Sequence, residues 1–392
     1  MNLAQRFQQL DTFLADYTWL WRPQPFKQAR PEWCARLPAL CESLLALSDE
    51  ELAHLTHDAP VLIALLAKHL PALNALDELC RVPEHELTAL TDLGPHFATG
   101  IPGRKWQQVT DFAAALGPVR EPLLEWCGGK GHLGRLLAAQ WHHPVLTLDH
   151  NPILSEEGQQ LAQRAQVEQV FRTDDALAPS AADAVTGRHA VALHACGELH
   201  RSLVRRAVAA KAPALDIAPC CYHLFLDGDY LQFTANAQLE LGRDDLRLAV
   251  TETVTAVGRE VRLRDREMAW KLGFDLLRRD TSAEEGYRPI RPVDKTWLKE
   301  DFAGFCRELA EREGVVLPEV DWQTAEEAGW QRQRETMRLS LPRHAFRRAI
   351  ELWLVLDLAN FLDSNGYAVQ IGTFCAHELT PRNILISARR RS

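Results

Sequence analysis

The first 118 residues have the apolar spacing of α-helices. Apolar side chains recur at i, i+3, i+4 and i+7 in three long stretches between residues 3 and 80. Ser48 and Glu51 form a capping-box pattern, which predicts that a new helix begins there. The Gly-Ile-Pro-Gly sequence at 100–103 interrupts the spacing, which resumes over 105–117 as one more predicted helix.

From Pro122 the spacing changes to short apolar runs that alternate with helical segments. The runs are PLLEW, VLTLD, VEQVFRT, AVALHA and ALDIAP, and the helical segments cover 131–141, 152–166 and 197–211. This alternation predicts right-handed strand–helix–strand crossovers and a parallel sheet with helices on both faces.

The alternation stops after Cys221 and resumes only near the C-terminus. In between, the chain is rich in Arg, Asp, Glu and Trp and has mostly helical spacing. Residues 344–362 predict a strong amphipathic helix, which Asn365 and Gly366 end. Two strand-like runs follow, at 367–374 and 383–388.

These patterns predict two regions. Residues 1–100 form a helical N-terminal region, and residues 101–392 form an α/β domain with a mostly parallel, seven-stranded sheet. The last two strands belong to that sheet, so residues 224–342 are a mostly helical insertion before the last helix and two strands.

Composition narrows the class of protein. The 392 residues are 46% hydrophobic and 25% charged, which is ordinary for a globular protein with a real core. A formal net charge of −9 argues against a surface that coats phosphates generally. We find no signal-peptide pattern and no run of the roughly 18 apolar residues that a membrane span needs. Nine cysteines without such a signal predict reduced thiols in the cytoplasm.

A glycine-rich turn, EWCGGKGHLG, follows the first predicted strand. Gly129, Gly131 and Gly134 form G-x-G-x-x-G, the pattern of a nucleotide-binding turn that leads into a helix. Asp149 ends the second predicted strand, ~20 residues after the turn, which is where a ribose-binding acid is expected. Up to this point the pattern suits a dinucleotide and S-adenosylmethionine equally.

Glu125 distinguishes the two cofactors. It ends the first predicted strand, beside the place where a pyrophosphate would lie, and a carboxylate repels that doubly negative group. S-adenosylmethionine brings an ammonium and a sulfonium and no phosphate. The sequence therefore favours S-adenosylmethionine, with an NAD-dependent oxidoreductase as the alternative.

Four motifs follow one another on the alternating strand–helix units: CGGKGHLGR, HACGEL, APCCYH and TPRNILI. Together they resemble the class I S-adenosylmethionine-dependent methyltransferases, and in finer detail the methyltransferase-like 25 type of domain, over about 105–223 and 344–388. The resemblance implies a Rossmann-like fold and in-line transfer of a methyl group from S-adenosylmethionine.

The resemblance also implies a set of cofactor-binding residues. Gly128, Gly129 and Gly131 would hold the methionine end, Glu125 its amino group, Asp149 the ribose and Asp174 the adenine amine; Lys105, Cys127, Lys130 and His194 complete the set. Cys127 stands where the family has its first glycine, and His194 would face the methyl group. A cap on the next segment is the alternative role of Asp174 or its neighbour Asp175, and Lys105 is alternatively a solvated helix residue.

Cysteines and histidines cluster just after the fourth and fifth predicted strands: His194, Cys196, His200, Cys220, Cys221 and His223. Three interpretations compete: a zinc site, a nucleophilic thiolate like that of cytosine-C5 methyltransferases, and small side chains packed around the substrate pocket. Adjacent cysteines are awkward ligands of one tetrahedral ion, and the Pro-Cys pair follows strand five rather than strand four. Packing is therefore favoured and no metal ligand is assigned.

The same residues predict the substrate side of the site. His194, Cys220, Cys221 and His223 are the candidates there, with the two histidines as proton acceptors. Arg382, in TPRN, joins them if the closing hairpin reaches the same edge; its alternative role is that of a structural turn residue.

The acceptor of the methyl group is less constrained. Strand four ends in HACGE rather than in Asn/Asp-Pro-Pro-Tyr, which argues against exocyclic-amine chemistry on adenine or cytosine. Basic runs at 262–267, 278–280, 288–292, 343–348 and 389–392 are interleaved with Trp270, Trp297, Trp322 and Trp330. Such a surface favours RNA over a protein or small molecule, although it also fits a solvated helical face. A non-catalytic adaptor for RNA or protein is the second alternative, and Cys127 favours it.

Overall fold

The computed structural model describes residues 2–252, 258–281 and 286–391. Parts of the predicted insertion, and Ser392 of the last basic run, lie outside the described residues. The chain forms two compact units. The first comprises the described residues within Met1–Ala15, Glu78–Val254 and Arg347–Ser392, and the second those within Asp16–Asp77 and Thr255–Phe346. These units interleave along the chain, and the predicted division after residue 100 stays a prediction about domains.

The helices and strands have the following bounds. The α-helices are α1 (Leu3–Asp16), α2 (Thr18–Trp21), α3 (Glu32–Arg36), α4 (Pro38–Leu45), α5 (Asp49–His57), α6 (Ala59–Ala67), α7 (Ala75–Leu79), α8 (Gly103–Leu116), α9 (His132–Trp141), α10 (Pro152–Arg164), α11 (Glu198–Ala209), α12 (Arg243–Leu248), α13 (Gly258–Thr281), α14 (Phe302–Glu313), α15 (Trp322–Leu339), α16 (Leu341–His344) and α17 (Arg347–Ser364). Short 3₁₀ helices cover Pro71–Asn74, Pro179–Val185 and Trp297–Lys299. The strands are β1 (Leu123–Trp126), β2 (Val145–Asp149), β3 (Gln169–Thr173), β4 (His189–Cys196), β5 (Ala214–Cys220), β6 (Tyr367–Thr373) and β7 (Ile384–Arg390).

One seven-stranded sheet organises the first unit, in the order β3-β2-β1-β4-β5-β7-β6. Strands β1 to β5 pair in parallel, whereas β7 is antiparallel to both β5 and β6. This confirms the predicted Rossmann-like architecture, and each predicted strand lies within two residues of an observed one at both ends. β1 and β5 are buried throughout because helices cover both faces, which explains their uninterrupted apolar runs.

Helix α17 differs from the predicted amphipathic helix. It begins at Arg347 and is buried on almost every side, including at Glu351 and Asp357. Asp357 accepts hydrogen bonds from the Tyr230 hydroxyl at 2.9 Å and the Thr234 N–H at 2.7 Å. Polar positions that suggested a solvated face are therefore buried with partners distant in sequence.

Residues 80–102 contain no helix, so the prediction of helix over the whole N-terminal region is wrong there. Pro83 and a Gly94-Pro95 pair interrupt the segment. It runs instead along the open edge of β6: Thr373 N–H donates to Pro83 O at 2.8 Å, and His85 N–H donates to Thr373 O at 2.9 Å. The capping box at Ser48, by contrast, is confirmed at the start of α5.

Of the four tryptophans expected on an RNA-binding surface, Trp270 is buried in the core of the second unit and the other three are partly buried against that core. Trp270 is 3% exposed, and Trp297, Trp322 and Trp330 pack against the same core of α13 and α14. The indole N–H groups of Trp270 and Trp330 both donate to Glu326, at 2.8 and 3.3 Å. The prediction of an aromatic surface is therefore wrong for Trp270, and the other three tryptophans present only part of their rings, because the helical spacing that placed these side chains among arginines also turns them toward the core.

Several arginines of the predicted basic runs are likewise bound within the chain. Arg278 is buried and paired with Asp275 at 2.9 Å, and Arg279 contacts the same carboxylate at 2.6 Å. Arg389 pairs with the buried Asp216 at 2.7 Å. None of the described helices is long and apolar enough to cross a membrane. All nine cysteines are free thiols, as predicted.

Candidate active site at the carboxyl ends of the strands

The glycine-rich turn between β1 and α9 is built from left-handed residues. Cys127, Gly129 and Gly131 have φ values of 56°, 59° and 67°. A Cβ added at Gly128 would lie 2.5 Å from the Glu125 Cδ, and one at Gly131 would lie 2.3 Å from a side-chain nitrogen of Gln169. Only glycine fits at these two positions, so the turn lies tightly on the side chains beneath it.

Glu125 lies beneath this turn and is 4% exposed. Its carboxylate accepts a hydrogen bond from Thr147 Oγ1 at 2.9 Å, and the backbone N–H groups of Leu133 and Gly134 also donate to it. Those two residues are in the first turn of α9, whose N-cap, Gly131, provides no side-chain acceptor. Glu125 therefore provides, from β1, the acceptor that the start of this helix lacks.

The burial of Glu125 has an electrostatic consequence. Desolvation raises its pKa to about 7, although the Thr147 hydroxyl, the two N–H groups and the nearby Lys105 oppose the rise. In dinucleotide-binding folds a pyrophosphate occupies the start of the corresponding helix. Here a carboxylate of the protein already occupies that place, which disfavours a pyrophosphate for a stronger reason than the repulsion expected from the sequence.

Gln169 was not among the predicted residues, yet it completes the support of the turn. Its side-chain amide donates to Thr147 Oγ1 at 2.8 Å and to Gly131 O at 3.0 Å. Glu125, Thr147 and Gln169, from β1, β2 and β3, thus form one buried row under the turn. A polar residue at the start of an apolar strand was the only signal in the sequence.

Asp149, at the end of β2, ties the turn to the sheet. One carboxylate oxygen accepts from Gly129 N–H at 2.8 Å, and the other accepts from Asn151 N–H at 2.9 Å. The carboxylate is buried, and its two acceptor oxygens lie at the edge where the ribose was predicted to bind.

Cys127 lies at the centre of the predicted cofactor cleft. Burial raises the pKa of its thiol to about 12, and Asp149, Cys196 and Asp175 add to the rise because they lie close to it. Asp149 and Cys196 end β2 and β4, and Asp175 follows β3, so the ends of three strands converge on Cys127. The thiol is partly exposed.

Of the two adjacent acids after β3, Asp175 accepts one hydrogen bond, from the Leu177 N–H at 2.9 Å, whereas Asp174 has several partners. Asp174 accepts from the Ser180 hydroxyl at 2.8 Å and from Arg172 at 2.8 Å, and these contacts hold its pKa below the usual value. Asp175 is exposed and close enough to Cys127 to affect its pKa. Asp175 is therefore the better candidate to face the cleft, a choice that two consecutive acids in a sequence leave open.

The two predicted lysines have different surroundings. Lys105 is exposed on α8, but it is close enough to Glu125, His132 and His194 to lower the pKa of each. Lys130 forms an ion pair with Glu157 of α10. Lys105 thus faces the predicted site, whereas Lys130 is bound to a neighbouring helix.

Three thiols, those of Cys196, Cys220 and Cys221, meet where β4 and β5 end; we call them the thiol cluster. Their Sγ atoms all lie within 4.8 Å of one another, and those of Cys196 and Cys220 are 3.6 Å apart. Thiol hydrogen bonds from Cys196 and then Cys220 lower the pKa of Cys221. The cluster joins Cys196 to two of the predicted substrate-side residues.

The remaining substrate-side candidates surround this cluster. His194 lies in the left-handed region with φ 70°, and its Nε2 is 2.8 Å from Gln108 Oε1. Arg382 donates to Glu252 O at 2.6 Å and lies close enough to His194 and Cys221 to affect their pKa values. Burial and then Arg247 lower the pKa of His223. All five predicted residues are thus together at one edge of the sheet.

Comparison with known protein families agrees with this arrangement. Residues 104–227 match the model of a family described as a methyltransferase domain. The first unit contains a class I S-adenosylmethionine-dependent methyltransferase domain. Its cofactor is S-adenosylmethionine. The match covers less than half of the chain, and the finer resemblance to the methyltransferase-like 25 type stays a prediction.

Solved structures add a partial likeness. The chain is similar to the Pyrococcus abyssi tRNA (uracil-54, C5)-methyltransferase, crystallised with S-adenosyl-L-homocysteine, at 24% identity and a TM-score of 0.23. The similar segment covers 26% of this chain and 25% of that one. No curated protein matches the chain.

The residues around the cleft fit the cofactor chemically. S-adenosylmethionine has a positive ammonium and a positive sulfonium, and when bound it supplies an activated methyl group. Asp149 and Asp175 make the surroundings of Cys127 acidic, which suits a cationic ligand.

Proposed function

We propose that the whole chain is a methyltransferase whose acceptor enters over the edge formed by His194, Cys221, His223 and Arg382. The observation that supports this most is that this edge adjoins the acidic surroundings of Cys127, since Cys196 of the thiol cluster is itself a neighbour of Cys127. Methyl transfer from a sulfonium requires the acceptor, methyl and sulfur to be in line, so the protein contributes mainly by positioning them. His194 and His223 are then the candidate proton acceptors at the acceptor side.

We further propose that the acceptor is RNA with unpaired bases. Lys105, Arg382, Arg243 and Arg247 all lie close enough to His194 or His223 to lower the pKa of that imidazole. A ring of cations around an acceptor site suits a phosphate backbone. Phe225, two residues after His223, is 59% exposed and has a left-handed φ of 57°, which suits stacking on a base. The tryptophans of the second unit pack in or against its core and add little to this preference.

Calorimetric titration tests the cofactor part of the proposal. Wild-type protein should bind S-adenosylmethionine and S-adenosylhomocysteine saturably and should not bind NAD, whereas Glu125→Ala should lose the first two. Glu156→Ala is the control, because Glu156 is an exposed acid on α10 and its loss should change affinity little. Binding of NAD alone would contradict the proposal, and binding of none of the three would favour the adaptor.

Transfer of a labelled methyl group tests the acceptor. RNA, protein and small-molecule fractions of one extract are each incubated with the protein and labelled S-adenosylmethionine. We expect ribonuclease to remove the label. In Arg247→Ala the KM for RNA should rise less steeply with salt concentration than in the wild type, since one phosphate contact contributes about one unit to the slope of the logarithmic plot. Arg391→Ala, whose side chain pairs with Asp363 at the far end of β7, should leave that slope unchanged. Label resistant to ribonuclease and sensitive to protease would refute the RNA acceptor.

A further inference from the structure

The thiol cluster depends on a backbone conformation that packing alone does not require. Cys220 is the last residue of β5 and Cys221 follows it directly, and adjacent residues of an extended chain point to opposite faces. Cys221 instead has a left-handed φ of 44°, which brings its Sγ to the same side as that of Cys220. Such a conformation of a residue other than glycine costs roughly 1–3 kcal/mol and is typical of functional sites.

A second irregularity brings Cys196 into the cluster. β4 pairs regularly with β5 as far as Leu193, the register then shifts, and Cys196 pairs with Cys220. The shift coincides with His194, which also has a left-handed conformation. Irregularities of this kind re-aim side chains beside active sites. Two independent distortions, one in each strand, therefore converge on the same three sulfur atoms.

The spacing of these sulfur atoms is that of metal ligands. Thiolates bind zinc at about 2.3 Å, so two of them in a tetrahedral site are ~3.8 Å apart. The Cys196–Cys220 distance of 3.6 Å already matches such an edge, and no pair exceeds 4.8 Å. Rotation of the half-buried Cys221 side chain would shorten the remaining distances.

The surroundings supply charge and a fourth ligand. Three thiolates and one zinc ion carry a net charge of −1, and Arg382 lies close enough to Cys221 to compensate it. Within the described part of the chain, His223 Nδ1 and His200 Nε2 are buried without a hydrogen-bond partner. An unpaired buried imidazole nitrogen is costly unless an unseen ion or water satisfies it. His200 is fixed by the contact of its Nδ1 with Ala195 O, whereas the half-buried His223 is two residues from Cys221 and can turn.

We propose that Cys196, Cys220 and Cys221 bind one zinc ion, with His223 as its fourth ligand. The objection that adjacent cysteines cannot share a tetrahedral ion does not hold here, because the left-handed Cys221 places both sulfurs on one side. The ion joins the ends of β4 and β5 to the segment after β5, and so holds the acceptor edge next to the cofactor cleft. This inference concerns metal binding and bears on the proposed function at one point: a zinc-bound His223 cannot accept a proton, which leaves His194 as the proton acceptor.

Metal analysis of the full-length protein tests the proposal without reference to activity. The protein is produced with zinc in the medium and purified under reducing conditions without chelator or polyhistidine tag. We expect about one zinc per chain, lost in Cys220→Ser and Cys221→Ser. Cys375→Ser is the matched control in the same unit and should retain the ion, since Cys375 is also half-buried but outside the cluster.

Cobalt substitution keeps the test valid if a cysteine variant fails to fold. Anaerobic titration of metal-free wild-type protein with Co²⁺ should give thiolate-to-cobalt charge-transfer bands and intense tetrahedral bands, and His223→Ala should weaken binding while keeping the charge-transfer bands. Zinc below about 0.1 equivalent together with an octahedral cobalt spectrum would overturn the proposal. An intact mass about 2 Da lower, from a Cys196–Cys220 disulfide in the purified protein, would overturn it as well.

Discussion

Glu125→Gln removes one titratable group from beneath the glycine-rich turn and preserves the shape of the side chain. The carboxyl of Glu125 has a pKa of about 7 in the folded protein, against an ordinary value of 4.5, because burial penalises its charged form. Between these two values the folded state keeps a proton that the unfolded state has lost. The free energy of unfolding of the wild type therefore falls as pH rises through this window.

The size of the fall follows from the two pKa values. A difference of about 2.5 pKa units, at 1.36 kcal/mol each, gives about 3 kcal/mol as an upper estimate. Glutamine resembles the protonated acid and does not titrate. The variant should therefore be about as stable as the wild type near pH 4, and more stable by up to about 3 kcal/mol near pH 8.

Peptide-resolved hydrogen exchange is the appropriate assay because the chain has two compact units. It reports the opening free energy of β1 and α9 separately from that of the second unit. The quantity to compare is the difference between variant and wild type at the two pH values, in which the titration of all other groups cancels. An equal difference at both pH values would refute the reasoning, since it would mean that Glu125 ionises in the folded protein as easily as in water.

Three further predictions concern other residues. Gly131→Ala should destabilise the first unit by roughly 2–4 kcal/mol, because its Cβ would lie 2.3 Å from Gln169. Gly187 has a similar φ of +69° but open space around it, so Gly187→Ala should cost about 1 kcal/mol. Equal losses on urea denaturation would show that the close approach is unimportant. Asp175→Asn should weaken S-adenosylmethionine binding in calorimetry, and Asp174→Asn should lower stability with little change in affinity; the reverse result would return the adenine role to Asp174. The hydrogen bond to Glu252 raises the pKa of His377. His377→Gln should therefore lose roughly 0.5–1 kcal/mol of stability below the ordinary histidine pKa, and the loss should shrink as pH rises through the raised pKa. A loss that grows with pH would contradict this.

The parts of the fold that the sequence predicts are those governed by local pattern. β1 to β5 alternate with helices of ordinary length, and glycines and prolines mark the turns between them. The position of α17 was predicted correctly, but its burial on almost every side was not. Asp357 is paired with Tyr230, 127 residues earlier in the chain, and no local pattern reveals a partner at that distance.

The candidate site shows the same division. The glycine-rich turn and Asp149 follow from spacing alone. The strand ends also place Cys196, Cys220 and Cys221 at one edge. The convergence of their sulfur atoms does not follow from the sequence, because it needs Cys221 in a left-handed conformation and a register shift before Cys196, and both override the alternation from which side-chain direction is predicted. Glu125 was expected to face the cofactor. Its position under the turn follows from the lack of an acceptor at the start of α9, which only the folded chain shows.

The position of β7 in the sheet affects which truncated forms of the protein can fold and how the chain folds during synthesis. β7 lies between β5 and β6, yet it follows both in the chain and so leaves the ribosome after them. A fragment ending at residue 227, where the family match ends, would leave β5 as an open edge with its apolar side chains uncovered, and such edges promote aggregation. Nascent chains face the same exposure until more than 150 further residues, including all of the second unit's later segment, have been synthesised. Soluble truncated protein should therefore require residues 347–391 supplied in trans or joined directly behind β5.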